Sequence, residues 1–112
     1  MKNERVAIYL RYGKAAQNKK IDALDETVKD FKNWELVNRY VDDGFSAMDI
    51  NRPALKYMIE DCRNGKADIV CINGVHQLSR DTLVVIQIFK LFKDYGVKVY
   101  DVSLGKFVGL VG

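Results

Sequence analysis

Two periods of apolar residues alternate along this chain. Val6–Leu10 is a short apolar run containing Tyr9 and bounded by charges, the pattern of a strand buried on both faces. Ile21, Leu24, Val28 and Phe31 then recur at helical spacing, which predicts a helix over about Ile21–Lys32. "WELVNRYV" returns to a strand, with Trp34, Leu36 and Val41 expected in the core, and "DDGFSAMDIN" follows as a loop. Pro53 suits the first turn of a helix whose stripe is Leu55, Met58, Ile59 and Cys62. Gly65, in "RNGKAD", caps that helix, and "IVCI" is a third strand. After the loop "NGVHQLS", Ser79 or Asp81 can cap a helix that runs to about Tyr95 and ends at Gly96, and "VKVYDV" is a fourth strand.

Strands alternating with helices form βαβ units. The expected fold is a three-layer α/β domain. Its mainly parallel sheet has four strands or slightly more, with helices on both faces. Functional loops of such sheets lie at the carboxyl ends of the strands, here beginning near Arg11, Asp42 and Asn73.

Composition narrows this little. A length of 112 residues suits one domain, and 48% hydrophobic with 29% charged residues excludes a disordered or fibrous chain. The net charge of +3 permits contact with nucleic acid without requiring it. Cys62 and Cys71 form no CxxC pair and read as buried thiols of a reducing compartment. "MKNERVAIYLRYGK" lacks the apolar run of a signal peptide, and no segment approaches the roughly 20 apolar residues of a membrane span, so a cytoplasmic location without membrane contact is expected. The helix after Arg80 changes the picture more. Beside its expected core stripe of Val84, Ile88, Leu91, Phe92 and Tyr95 it carries Leu83, Val85, Ile86 and Phe89. A helix apolar on more than one side is buried all round or packs on another chain. We expect a homo-oligomer, dimer or tetramer, through residues 80–95, with Val85 and Phe89 on the outer face.

The polar residues at the three strand ends form the candidate site. They are Arg11, Gly13 and Gln17, then Asp42, Asp43, Ser46 and Arg52, then His76, Gln77, Ser79 and Arg80. Guanidinium groups stay charged and bind phosphate oxygens bidentately, so three converging arginines would cradle a phosphodiester. The plainer alternative is three surface arginines paired with Asp42, Asp43 and Asp49. The spacing of these aspartates is not that of an EF-hand, His76 has no second ligand beside it, and no metal or cofactor is expected. No GxxxxGK[ST] or GxGxxG motif occurs.

In order and spacing these motifs resemble the catalytic domain of the serine recombinases, the resolvase and invertase family. That family opens with Y-x-R-V-S and a following Gln; here stand Tyr9, Arg11, Tyr12, Gly13 and Gln17. Its acidic-glycine loop before an Arg-Pro helix start is matched by "DDGFSAMDINRP", ending in Arg52 and Pro53. Its Asp-Ile/Val strand leading into D-R-L-S/G-R is matched in frame by "DIVCINGVHQLSR", with Asp68, Leu78, Ser79 and Arg80 in place. The resemblance covers about residues 5–103.

It implies a DNA partner and a covalent mechanism. A serine hydroxyl attacks a DNA phosphodiester, a 5′-phosphoserine link forms and a 3′-hydroxyl leaves, without a metal. Arginines stabilise the phosphoryl charge, which assigns Arg11, Arg52 and Arg80 to DNA binding and, with Gln17 and Asp68, to the catalytic set. The chain departs from the family at Gly13, in the nucleophile position, and at His76 and Gln77, in place of the Asp-Arg pair. Glycine has no side chain to attack with, and neither Ser46 nor Ser79 is expected to stand in. The expectation is therefore a recombinase catalytic domain impaired in cleavage. The alternatives are a non-enzymatic oligomerising or regulatory remnant of a mobile-element recombinase, and an unrelated doubly wound domain that binds a small phosphate ligand. Residues 1–112 read as a single catalytic domain, without the long dimerisation helix and separate DNA-binding domain that the family carries.

Overall fold

A computed structural model of the chain describes residues 3–12, 21–43 and 52–109. The elements run β1 (Glu4–Tyr12), α1 (Ile21–Asp30), β2 (Trp34–Asp43), α2 (Pro53–Arg63), β3 (Ile69–Ile72), a 3-10 turn (Val75–Gln77), α3 (Thr82–Asp94), β4 (Lys98–Asp101) and β5 (Lys106–Val108). The sheet has five strands in the order β2-β1-β3-β4-β5, parallel except for β5, which pairs antiparallel with β4. The expected α/β architecture is present, with one strand more than the four read from the pattern.

Strand β1, second in the sheet and flanked by β2 and β3, is buried on both faces from Val6 to Leu10, because its alternate residues feed two cores. Val6, Ile8 and Leu10 pack with Leu24 and Val28 of α1. Ala7 and Tyr9 pack on the other face with Leu55, Met58 and Cys62 of α2 and with Ile88 and Phe92 of α3. One helix therefore covers the first face and two cover the second. On the first face the α1 layer is extended by the rings of Phe31, Trp34, Tyr100 and Phe107, the last of these from β5.

The local signals hold. Pro53 opens α2, Gly65 follows its end at φ +74°, and Gly96 follows α3 at φ +72°. These are left-handed conformations that favour glycine. Asp81, rather than Ser79, caps α3 by accepting from Leu83 N at 3.0 Å. Ser79 Oγ instead accepts from Asp81 N at 3.0 Å and tightens the turn before the cap.

Two core assignments change. Edge strand β2 has a bulge opposite Val6/Ala7: Val6 pairs with Leu36, but Ala7 pairs with Asn38. Val37 is the extra residue, and alternation reverses after it. Trp34 and Leu36 face α1 before the bulge, as does Arg39 after it, whose guanidinium reaches Asp25 of α1 at 2.8 Å. Val41 shares that face but is exposed, while Tyr40 and Asp42 turn inward toward α2. In α3 the buried residues are Val85, Ile88 and Phe92, and Leu91 is exposed. Val85 was expected outside; it faces the core, and Phe89 packs against that core too. The exposed apolar residue at the start of α3 is Leu83, at 70%.

Candidate active site

The bulge that turns Asp42 inward creates the centre of the site. The Asp42 carboxylate is almost fully buried, and three donors meet it. These are Tyr9 Oη at 2.8 Å, Ala54 N at 2.9 Å and Leu55 N at 3.0 Å. The two amides belong to the first turn of α2, so a strand residue caps that helix from a distance and its charge meets the positive end of the helix. Asp42 is thus committed to Tyr9 and α2, unlike the surface ion pair considered from sequence.

Arg52 occupies the N-cap position of α2 and is itself buried, at 3% exposure. Its Nη1 donates to Tyr9 Oη at 3.2 Å and to the Gln77 carbonyl oxygen at 2.7 Å. Tyr9 therefore stands between a carboxylate and a guanidinium, donating to one and accepting from the other. Burial, foremost, holds its phenol protonated well above the usual tyrosine range. Arg52 Nε is buried without a hydrogen-bond partner among the described residues. The Arg52 cation is thus held deep in the fold by two neutral oxygens, those of Tyr9 and Gln77.

The third strand end comes in through the 3-10 turn. Gln77 Oε1 accepts from Arg11 N at 2.7 Å, at the carboxyl end of β1. The other end of the turn is held by Asp101 of β4, buried, whose Oδ1 accepts from Gly74 N at 3.0 Å and from Ser103 Oγ at 2.6 Å. Gly74 has φ +98°, a backbone conformation that favours glycine, and a Cβ there would lie 2.5 Å from Cε1 of the exposed His76 ring, which would have to swing aside. His76 and Arg80 are both exposed; with Val75, Ser79, Thr82 and Val85 they line an adjoining pocket of about 440 Å³.

Gln77 thus joins the Arg11 backbone to the Arg52 guanidinium, and His76 and Arg80 line a pocket formed by the same turn and the start of α3. Asp68 is not among them. It precedes β3 at the amino ends of the strands, the opposite edge of the sheet, where it accepts from Arg5 N at 2.8 Å and from the Arg5 guanidinium at 3.0 and 3.1 Å. It joins β1 to β3 rather than taking part in the crevice. Gly13, Gln17, Ser46 and Asp49 lie outside the described residues. Among the described residues no group of three or more His, Cys, Asp or Glu side chains could hold a metal ion, and no helix is long and apolar enough to cross a membrane. Cys62 and Cys71 are free and buried, and burial pushes each thiol up to about 12. Sequence reasoning missed the roles of Tyr9 Oη and Asp101, whose partners lie on other elements.

The five-stranded, mainly parallel sheet with helices on both faces places the chain among the α/β domains. The comparisons define the class further. The family described as "Resolvase, N terminal domain" matches residues 6–107, and the chain belongs to it, the catalytic-domain family of the serine recombinases. Among solved structures, the N-terminal catalytic domain of TP901-1 integrase is 25% identical, with a TM-score of 0.82 over 91% of this chain and 79% of that one. A resolvase family site-specific recombinase from Streptococcus pneumoniae is 26% identical, with a TM-score of 0.73 over 94% of this chain and 76% of that one. The C-terminal catalytic domain of ISC1926 TnpA, an IS607-like serine recombinase, is 24% identical and shares the fold, with a TM-score of 0.78 over 88% of this chain and 69% of that one. No curated protein sequence matches the chain.

Proposed function

We propose that this chain is a recombinase catalytic domain that binds the DNA phosphodiester but does not cleave it. The observation that carries the reading is Arg52. Its guanidinium is buried at the mouth of α2, anchored by Nη1 to Tyr9 and Gln77, with Nε uncommitted among the described residues. Arg11, from the adjacent strand end, and Arg80, exposed beyond the turn, supply the other two positive charges. Such a set stabilises charge on a phosphoryl group. The family's covalent step needs a hydroxyl at position 13, and Gly13 has none. No atom is then available there to bond to phosphorus, and the 3′-oxygen is not displaced.

The test is duplex DNA binding followed by fluorescence anisotropy across a salt series. Three arginine–phosphate contacts predict a slope of log affinity against log salt of about −2.7. Arg80→Ala and Arg11→Ala should each reduce that slope by about 1. Binding that is absent at low salt, or that ignores all three arginines, would overturn the proposal.

A second reading has its own support. Leu83 and Leu91 leave apolar surface exposed on α3. That surface favours a module that joins copies of the chain, or an active relative, without chemistry of its own.

A further inference from the structure

We propose that Gln77 is a positioning residue that sets the relative placement of Arg11 and Arg52. The role rests on the phosphate-binding reading above. Its two polar ends are used on two different elements. The side-chain Oε1 accepts from Arg11 N at the end of β1, and the main-chain oxygen accepts from Arg52 Nη1 at the start of α2, both at 2.7 Å. Because a backbone N–H is the donor at Arg11, only the amide oxygen can face it, which fixes the orientation of the side chain.

The platform that carries Gln77 is held independently. Gln77 N donates to the Gly74 carbonyl at 3.1 Å, and Gly74 N donates to the buried Asp101 at 3.0 Å. Leu78, next in the chain, is wholly buried. The turn is therefore anchored to β4 and the core, and Gln77 transfers that anchorage to both arginines. The chemistry at this position is selective. Glutamate preserves the acceptor, methionine preserves only the length, and arginine would set donors against the Arg11 N–H.

The experiment compares the whole chain with Gln77→Met, Gln77→Glu and Gln77→Arg by two readouts. The first is hydrogen exchange of the Arg11 amide by NMR, read against amides elsewhere in β1. Loss of one such bond predicts exchange roughly 5- to 10-fold faster in Gln77→Met and Gln77→Arg, with protection kept in Gln77→Glu. The second is affinity for duplex DNA. Gln77→Met should bind severalfold more weakly with its salt slope unchanged, because the charges remain and only their placement is lost. A role in stability alone would leave affinity unchanged at temperatures where the variant is folded. The proposal fails if Arg11 exchange in Gln77→Met equals that of the parent, if Gln77→Glu loses protection as Gln77→Met does, or if affinity is unaltered. A parent chain that binds no duplex overturns the phosphate reading, while the exchange data still decide whether Gln77 holds β1.

Discussion

Asp42→Asn is the perturbation that the polar centre of this fold answers most sharply. The carboxylate receives Tyr9 Oη, Ala54 N and Leu55 N within 3.0 Å and is 1% exposed. Asparagine keeps one oxygen and replaces the other with a donor. At least one of the three incoming donors then faces an N–H, in a place that water does not reach. Hydrogen bonds to a charged group contribute about 1.5–3 kcal/mol each, and a buried donor left unsatisfied costs about 1–3 kcal/mol. Relief of the buried charge offsets part of this, although Arg52, linked to Asp42 through the Tyr9 hydroxyl, then loses that countercharge. We expect a net loss of about 3 kcal/mol, a large share of the roughly 5–15 kcal/mol that holds a domain together. Urea unfolding followed by the fluorescence of Trp34, the only tryptophan, reads this directly. With a denaturant slope of about 1.5 kcal/mol per molar, the midpoint should fall by about 2 M. Tyr9→Phe, which removes one donor and leaves the α2 amides in place, should cost only about 1 kcal/mol. An Asp42→Asn midpoint within 0.5 M of the parent, as an order-of-magnitude bound, would refute the view that this carboxylate holds β2 and α2 together.

Other predictions follow from separate parts of the structure. Gly74→Ala places a Cβ 2.5 Å from His76 Cε1 at φ +98° and should destabilise by about 2 kcal/mol in urea, while Gly74→Ala with His76→Ala recovers the steric part and leaves the backbone strain. The buried thiols of Cys62 and Cys71, pushed up to about 12, should resist a disulfide reagent at pH 8 in the native state and react at once in denaturant. Their folded values lie above the unfolded value of about 8.5. Their contribution to stability is therefore complete below that pH and is lost as pH climbs toward 12, seen as a falling urea midpoint in alkali. Leu83→Asp on the exposed start of α3 should leave the urea midpoint within about 0.5 kcal/mol of the parent and lower any self-association seen by sedimentation, whereas Val85→Asp buries a charge and should unfold the domain.

The legible parts of this fold are the local ones. Val6–Leu10 and Ile69–Ile72 announce buried strands because every residue in them is apolar, and Pro53, Gly65, Asp81 and Gly96 mark helix ends through their own backbone chemistry. What was hidden depends on distant partners. One extra residue in β2, Val37, reverses the faces of everything after it, and no pattern within the strand reports that. β5 is three residues long and gains its place by pairing with β4 and stacking Phe107 on Tyr100. The site divides in the same way. Arg11, Arg52 and Arg80 were visible as residues at strand ends, but the bonds that organise two of them were not. Gln77 lies 66 positions from Arg11, and Asp101 lies 27 from Gly74. Asp68 fits the family's motif in sequence, yet its side chain serves Arg5 at the far edge of the sheet.

Binding without cleavage is tested by a search for a covalent link. The chain is incubated with a random-sequence duplex library, divided, and analysed on native and SDS gels with mass spectrometry of any retained species. A retarded native complex that weakens with salt is expected, with no SDS-stable protein–DNA adduct, if arginines bind the phosphate and Gly13 offers no hydroxyl to attack it. An SDS-stable adduct mapped to Ser46, Ser79 or any other side chain of this protein would contradict binding without cleavage.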